Sequence, residues 1–278
     1  MMFRPHRGTT ILIVLFVLVW SLLPVYQMVV LSLTPSAETF TGKLWPQHPT
    51  LDNFRTVLSQ NHLLLRHFWL QLWNSIFVGL STALLVLVVA TLTSYSVVKL
   101  RSGWGRHLSR VALVSYFVPA AFLSVPLYAA MGKYGLLNSQ WALIFSLVAF
   151  SAPYAIWVLC HYAQTIPGEL DEAAAQDGAS AVQIFFLIYL PLMRPILLAI
   201  GTHALLVAWN EYLYAFMMLS SETQQTIPVM LGYFLVTDDA PWNLLMATSI
   251  IYALPPIAIY YAARQYMVAG LVFGAVKK

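Results

Sequence analysis

Charged residues are scarce in this sequence. Only 9% of its 278 residues are Asp, Glu, Lys or Arg, whereas 60% are hydrophobic. A soluble domain carries roughly 25% charged residues, because water must hydrate its surface. Fourteen bases and ten acids are too few to cover a chain of 31.2 kDa, which excludes an ordinary soluble protein. The composition therefore predicts an integral membrane protein.

Cysteine and the common catalytic motifs are also scarce or absent. Cys160 is single, which excludes an intramolecular disulfide and a thiolate metal cluster. No acid or thiol lies at metal-ligand spacing from His161 or His203. The sequence has no P-loop, no nucleophile elbow and no His-Glu-x-x-His pair. We therefore expect no metal site, no cofactor bound by this chain and no enzymatic activity.

Long uncharged segments predict about six transmembrane helices. A helix needs about 20 apolar residues to cross a bilayer, and a helix satisfies its own backbone hydrogen bonds there. The uncharged segments place these helices near residues 10–33, 70–98, 109–130, 139–162, 194–218 and 242–264. The expected fold class is therefore all-α, a polytopic membrane protein with a single domain over residues 1–278.

The Lys and Arg residues are unequally divided between the two sides of this membrane domain. Ten fall on the side that holds both chain termini, and four fall on the other side. Because basic loops are retained in the cytoplasm, we expect both termini to be cytoplasmic, including a tail at residues 265–278. Residues 34–68 then form a long periplasmic loop. The bases are scattered, so no nucleic-acid partner is expected.

A cytoplasmic loop at residues 164–192 is acidic despite its side of the membrane. Its sequence predicts two short helices at the membrane surface. Acidic residues beginning with Glu169 occupy the first turn of the first helix, where the helix dipole favours negative charge. Gly178 is expected to end this helix. Ser180 is expected to cap the second, with Gln183 completing a capping box, and Pro191 and Pro195 are expected to end the second helix and start the next span.

The first loop helix also has one polar face, and it carries several small alanine side chains. Glu169, Glu172 and Gln176 have the spacing of one helical face, and Ala173 and Ala174 follow Glu172. A short helix with acidic residues and small neighbours suits a groove on another protein. An ordinary solvated loop helix is the alternative interpretation.

Three short sequences in this loop resemble the EAA motif of permease subunits of type I ATP-binding-cassette (ABC) importers: Glu172-Ala173-Ala174, Asp177-Gly178-Ala179 and Leu190-Pro191-Leu192. In that family the loop forms a coupling helix, which docks in a cleft of the ATPase subunit. The resemblance implies that ATPase docking involves Glu169, Glu172, Ala173, Ala174, Asp177, Gly178, Phe185 and Pro191. It also implies a type I ABC importer transmembrane domain.

Further motifs, in the same order along the chain, resemble the carbohydrate-uptake permeases, specifically the second permease subunit of the maltose transporter. They include Trp73-Asn74-Ser75-Ile76, Gly135-Leu136-Leu137-Asn138, Trp209-Asn210-Glu211-Tyr212 and Thr226-Ile227-Pro228-Val229. This resemblance implies a permease subunit in the bacterial cytoplasmic (inner) membrane. Such a subunit forms half of the path for a mono-, di- or oligosaccharide and couples ATPase motion to alternating access.

The resemblance also implies an assembly. Its members are this chain, a second permease subunit, two ABC ATPase subunits that use ATP and Mg²⁺, and a periplasmic or lipid-anchored sugar-binding protein. Membrane lipid is also expected to contact this chain. Two alternatives remain open. The first is a type I permease for another solute, such as glycerol phosphate, and the second is a secondary transporter.

Four polar residues inside predicted spans are candidates for the substrate path. Glu211 lies within the fifth predicted span, where a charge needs a partner or water. Asn210 lies beside it, and Asn74 and Ser75 begin the second span. Hydrogen bonds that fix the helix bundle are the alternative interpretation of these four residues.

Overall fold

Every regular element in the described part of the chain is a helix. The structure is a computed structural model and describes residues 7–99, 105–236 and 240–275. In chain order the helices are α1 (Arg7–Ser32), α2 (Asp52–Leu58), α3 (Phe68–Val98), α4 (Gly105–Tyr116), α5 (Ala120–Lys133), α6 (Gln140–Ala163), α7 (Glu169–Gln176), α8 (Ala181–Ile184), α9 (Leu190–Trp209), α10 (Leu213–Met218), α11 (Ile227–Phe234) and α12 (Trp242–Ala275). A π-turn at Phe185–Tyr189 joins α8 to α9.

Among the described residues, five helical segments have the length and composition to cross a membrane. They are Gly8–Ser32, Leu63–Val98, Gln140–Ala163, Ala181–Trp209 and Trp242–Arg264, with mean hydropathy from 1.6 to 2.4. The predicted all-α, polytopic fold class is confirmed. The tail predicted at residues 265–278 is helical as far as Ala275, because α12 continues to that residue.

The third predicted span, 109–130, is not one continuous helix. It is divided into α4 and α5, which are separated by residues 117–119. Pro119 has φ −57° and ψ 133°, outside the helical region, and it precedes the first residue of α5. A proline lacks an N–H donor and crowds the preceding turn, so the local chemistry interrupts the helix. The prediction of a single helix here was wrong.

The fifth predicted span, 194–218, has different bounds in the structure. The helical segment begins at Ala181 and ends at Trp209, and α10 follows after a break at residues 210–212. Pro191 was expected to end the second loop helix and to start the next span. α8 already ends at Ile184, so the first part was wrong, whereas the start of a helix at Pro191 is confirmed. The π-turn leads directly into α9, where Pro191 lies in the first turn. A proline is tolerated there because the first N–H groups of a helix have no intrahelical partner.

The chain divides into two compact units. One contains the described residues within Met1–Trp69 and Met230–Leu254, and the other those within Leu70–Val229 and Pro255–Lys278. A single domain over residues 1–278 stays a prediction.

In the first unit, Asn53 joins the predicted periplasmic loop to two long helices. Its Nδ2 donates to the carbonyl oxygens of Ser32, at 2.8 Å, and Thr34, at 2.9 Å. Its Oδ1 accepts a 2.8 Å hydrogen bond from Nδ2 of Asn243, in the first turn of α12. Asn53 and Asn243 are both buried, so these bonds hold residues 34–68 against the ends of α1 and α12.

The second unit has an apolar core where α3, α6 and α9 meet. Its fully buried members include Val86, Leu159, Ala163, Tyr189 and Met193. Burial of such side chains stabilises a helix bundle through close packing, even where lipid surrounds it. The loop between α6 and α9 leaves this core at one end and returns to it through Tyr189.

Candidate functional site

The residues that follow the first loop helix, α7, end it through local hydrogen bonds. Three acids lie in its first turn, and Gly178 follows it with φ +86°. The Gly178 N–H donates to Ala175 O at 3.1 Å, and the Ala179 N–H donates to Ala174 O at 2.9 Å. These two bonds form a Schellman motif, which requires the left-handed conformation that glycine adopts without strain. The predicted helix end at Gly178 is confirmed.

The second loop helix begins with a capping box. Oγ of Ser180 accepts from the Gln183 N–H at 3.3 Å, and Oε1 of Gln183 accepts from the Ser180 N–H at 2.8 Å. The predicted cap is confirmed. The two loop helices are therefore fixed by local hydrogen bonds on both sides of Gly178.

The predicted docking residues fall into an exposed group and a packed group. Most are exposed: Glu169, Glu172, Ala173, Asp177, Gly178 and Pro191. Ala174 and Phe185 are half-buried, and the Phe185 ring contacts the Tyr95 ring at a centroid distance of 5.0 Å. The exposed group offers a carboxylate-bearing surface, whereas Phe185 holds the loop to α3. Docking by these residues stays a prediction.

An enclosed ion pair ties α7 to the end of α3. Lys99 Nζ lies 2.7 Å from Oδ2 of Asp171, and the two side chains are only 8% and 21% exposed. Lys99 also donates to Ile166 O at 3.4 Å. The other oxygen of Asp171, Oδ1, is buried and has no hydrogen-bond partner in the described part of the chain. Charges enclosed in this way hold a fixed geometry, because separating them leaves each one desolvated and alone.

Sequence reasoning missed this ion pair. In the sequence, Lys99 is one of the ten bases that set the expected orientation, and Asp171 is one of the acids in the first turn of the loop helix. The two residues are far apart along the chain, and no local spacing connects them. The acidity of the loop was the one available signal, because an acid on the cytoplasmic side is paired readily by a base at the end of a span.

Tyr95, one helical turn before Lys99, makes a second connection between α3 and the loop. Its hydroxyl donates to Ala181 O at 2.9 Å, and its ring lies 5.0 Å from the Tyr189 ring. Tyr189 in turn shares a 2.8 Å hydrogen bond with the hydroxyl of Ser94. Positions 95 and 99 lie on one face of α3, so a single face of this helix contacts both loop helices.

A cleft of about 620 Å³ lies between that face of α3 and the loop. Tyr95, Lys99, Asp171 and Glu172 line its polar part, and Ala175 and Ala181 line its apolar part. The loop therefore touches α3 at fixed points rather than lying flat on it.

Two of the substrate-path candidates bind backbone. Nδ2 of Asn74 donates to Thr223 O and Gln225 O, both at 2.9 Å. Ser75 Oγ donates to Gln71 O and accepts from the Ile227 N–H, both at 3.0 Å. Asn74 and Ser75 are each 3% exposed and fasten the segment after α10 to α3.

The other two candidates lie at the break between α9 and α10. Nδ2 of Asn210 donates to Leu206 O at 2.9 Å. Oε1 of Glu211 accepts from the Tyr214 N–H at 2.8 Å, so this carboxylate satisfies an N–H group at the start of α10. The Tyr214 hydroxyl donates to Ala120 O, at the start of α5, at 2.7 Å. The four residues are not gathered at one place by these bonds, and a role in the substrate path stays a prediction.

Among the residues that the structure describes, no group of three His, Cys, Asp or Glu side chains could hold a metal ion.

Comparison with known proteins agrees with these features. The family model described as "Binding-protein-dependent transport system inner membrane component" matches residues 87–272. The chain is 31% identical to the trehalose/maltose transport system permease protein MalG of Thermococcus litoralis, over 92% of this chain and 91% of that protein. It is 32% identical to the trehalose transport system permease protein SugB of Mycobacterium tuberculosis, over 93% of each.

A solved structure has the same fold. It is a chain from a bacterial ABC transporter involved in the import of the acidic polysaccharide alginate, with a TM-score of 0.79 and 22% sequence identity. The match covers 96% of this chain and 99% of that chain. The predicted fold of a type I ABC importer transmembrane domain is confirmed.

The membrane helices and these matches define a transporter subunit rather than an enzyme. The chain belongs to the family of inner membrane components of binding-protein-dependent transport systems. ATP hydrolysis in this family is carried out by separate ATPase subunits, so the predicted absence of enzymatic activity agrees with the family.

Proposed function

We propose that this chain is one of two permease subunits of an ATP-driven bacterial sugar importer. It forms half of the transmembrane path for a mono-, di- or oligosaccharide. The sugar assignment is supported by the names of MalG and SugB, which describe transport of trehalose or of trehalose and maltose. No other solute has comparable support from these relatives.

The observation that carries the coupling role is the exposed acidic face of α7 combined with its fixed attachment to α3. Glu169 and Glu172 are exposed, whereas Asp171 on the same helix is enclosed with Lys99. A displacement of α7 by a docked protein is transmitted to α3 through this ion pair and through the Tyr95 hydrogen bond. A membrane span thereby follows the movement of the loop.

The other subunits of the proposed importer are separate chains. They are a second permease subunit, two ABC ATPase subunits that bind ATP and Mg²⁺, and a periplasmic or lipid-anchored sugar-binding protein. In this arrangement both chain termini and residues 164–192 are cytoplasmic. This chain itself binds no cofactor. Alternating access follows because ATP and sugar each bind one conformation of the assembly more tightly than the other.

The test is transport by the whole assembly. The chain is coexpressed with the products of neighbouring genes, purified in mild detergent and reconstituted in proteoliposomes that contain ATP and Mg²⁺. Radiolabelled trehalose, maltose, lactose and glycerol phosphate are offered together with the binding protein. We expect accumulation of at least one sugar, and we expect it to stop without ATP. Accumulation of glycerol phosphate alone contradicts the sugar assignment, and uptake that needs an ion gradient instead of ATP contradicts the ABC mechanism.

A further inference from the structure

Four side chains with rings form a continuous row across three helices of the second unit. Tyr116, at the end of α4, stacks on Tyr154 of α6 with a centroid distance of 5.1 Å and an interplanar angle of 27°. Phe150 lies 5.7 Å from Tyr116, and the His203 imidazole of α9 lies 5.1 Å from Tyr154. These four residues are called the aromatic row below.

The members of the aromatic row on α6 and α9 lie inside those helices, and all four residues of the row are partly exposed. Phe150 and Tyr154 are near the centre of α6, and His203 is well inside α9. Tyr116, Phe150 and Tyr154 are half-buried in this chain, and His203 is exposed. Each residue of the row therefore keeps some surface that the rest of the described chain does not cover.

The polar atoms of the aromatic row have no partner within the described residues. The hydroxyl groups of Tyr116 and Tyr154 make no hydrogen bond there, and neither does the His203 imidazole. Lipid tails provide no hydrogen bonds, so polar groups at this depth turn toward water or toward another polar surface. Two hydroxyl groups and an imidazole without hydrogen-bond partners would be costly on a surface that faces lipid.

The combination of ring faces and polar edges matches a sugar. A pyranose has C–H faces that pack on aromatic rings and a rim of hydroxyl groups that exchange hydrogen bonds. Ligand sites in general combine aromatic walls with a few placed polar groups. We propose that the aromatic row is a sugar-binding site of the transmembrane path, which rests on the proposed function. The sugar packs on Tyr116 and Tyr154 and exchanges hydrogen bonds with their hydroxyl groups and with His203.

Thiol labelling tests whether the aromatic row faces water. In a Cys160→Ala background, Tyr154→Cys and His203→Cys are introduced into the reconstituted importer and treated with a negatively charged methanethiosulfonate. We expect modification of both variants. We also expect about fivefold slower modification in the presence of whichever of trehalose, maltose or lactose the wild type accumulates. Absence of modification, or modification that the sugar does not slow, overturns the proposal, because another protein surface or an empty pore then covers the row.

Transport by a leucine variant provides the second readout. Tyr154→Leu removes the ring, and we expect it to lower the rate of sugar uptake about fivefold. The ATPase activity stimulated by the binding protein is expected to persist, because Tyr154 takes no part in the ion pair and the hydrogen bond that hold the loop to α3. Phe145→Leu is the matched control: Phe145 is on the same helix, is 44% exposed and lies about half a turn around α6 from Tyr154. Its uptake is expected to equal that of the wild type.

The failure of this proposal differs from the failure of the proposed function. If the wild type accumulates glycerol phosphate alone, or needs an ion gradient instead of ATP, the proposed function is wrong, and the sugar site is wrong with it. If the wild type accumulates a sugar while Tyr154→Leu transports it equally well, only the sugar site is overturned. An equal loss in Phe145→Leu and Tyr154→Leu also overturns it, since ring removal then has a general effect on folding.

Discussion

At the scale of single residues, Lys99 and Asp171 determine how the loop is held. Their side chains are mostly enclosed, so each charge depends on the other for its solvation. Removing one partner of a buried pair costs about 3–5 kcal/mol, because the remaining charge is left buried and alone. Replacing both partners with uncharged residues costs much less. A comparison of the single variants with the double variant therefore tests whether Lys99 and Asp171 act as a pair.

We expect Lys99→Met and Asp171→Asn each to reduce sugar uptake about tenfold or more, because α7 loses its attachment to α3 or acquires an unpaired buried charge. The double variant is expected to be less impaired than the sum of the single changes predicts. Uptake and the amount of ATPase subunit that copurifies are the measurements. Lys43→Met, in an exposed loop of the first unit, is the control and is expected to transport normally. Strictly additive losses contradict the coupling of Lys99 with Asp171.

Glu172 has the opposite environment, because it is exposed. We expect Glu172→Lys to abolish uptake and ATPase copurification while the permease still inserts in the membrane, since charge reversal repels a basic partner. Asp52→Lys reverses a similarly exposed acid in the first turn of α2, and we expect it to leave uptake unchanged. Normal uptake by Glu172→Lys refutes the docking role of this carboxylate.

At the scale of helices, the end of α7 depends on one backbone conformation. Gly178 has φ +86°, and no heavy atom of the surrounding chain lies within 4 Å of the place that a Cβ would occupy, so a side chain there meets strain but no collision. A left-handed alanine costs about 1–2 kcal/mol. Gly135, which has φ +68° and the same open surroundings, lies in the loop between α5 and α6.

We expect Gly178→Ala to reduce uptake several-fold, because the angle between the two loop helices changes. Gly135→Ala has the same kind of strain, so we expect a similar fall in thermal stability with little loss of uptake. Melting temperature and uptake rate are measured for both variants. Equal uptake by the two variants would show that the angle at Gly178 is not important for coupling.

A variant of Asn74 distinguishes a residue that stabilises the helix bundle from a residue that contacts the substrate. Asn74→Leu removes two hydrogen bonds and leaves two carbonyl groups unsatisfied, at a cost of about 1–3 kcal/mol. We expect a lower melting temperature with an unchanged sugar concentration at half-maximal uptake. A shift in that concentration with an unchanged melting temperature supports the substrate path instead.

Local signals explain which parts could be predicted from the sequence. Gly178 and the pair of Ser180 with Gln183 act within one helical turn, so their roles were visible in the sequence. The break before Pro119 and the passage of the helix through Pro191 depend on the conformation of neighbouring turns. The pairing of Lys99 with Asp171 and of Tyr95 with Ala181 needs the tertiary fold, which no spacing encodes.

At the scale of the whole molecule, the distribution of bases predicts the direction of insertion. In a Cys160→Ala background, we expect a membrane-impermeant maleimide to label Asp52→Cys in intact spheroplasts. Gln176→Cys is expected to react only after the membrane is opened, because α7 faces the cytoplasm in the proposed arrangement. Labelling of Gln176→Cys from outside would reverse the orientation and remove the docking surface from the ATPase.

The two interrupted spans are joined at their interruptions. The Tyr214 hydroxyl donates to Ala120 O, so the first turn of α10 is bonded to the first turn of α5. The two halves of a broken helix can tilt separately, and this hydrogen bond couples the start of α10 to the start of α5 by about 1 kcal/mol. A movement that separates α5 from α10 would have to break it.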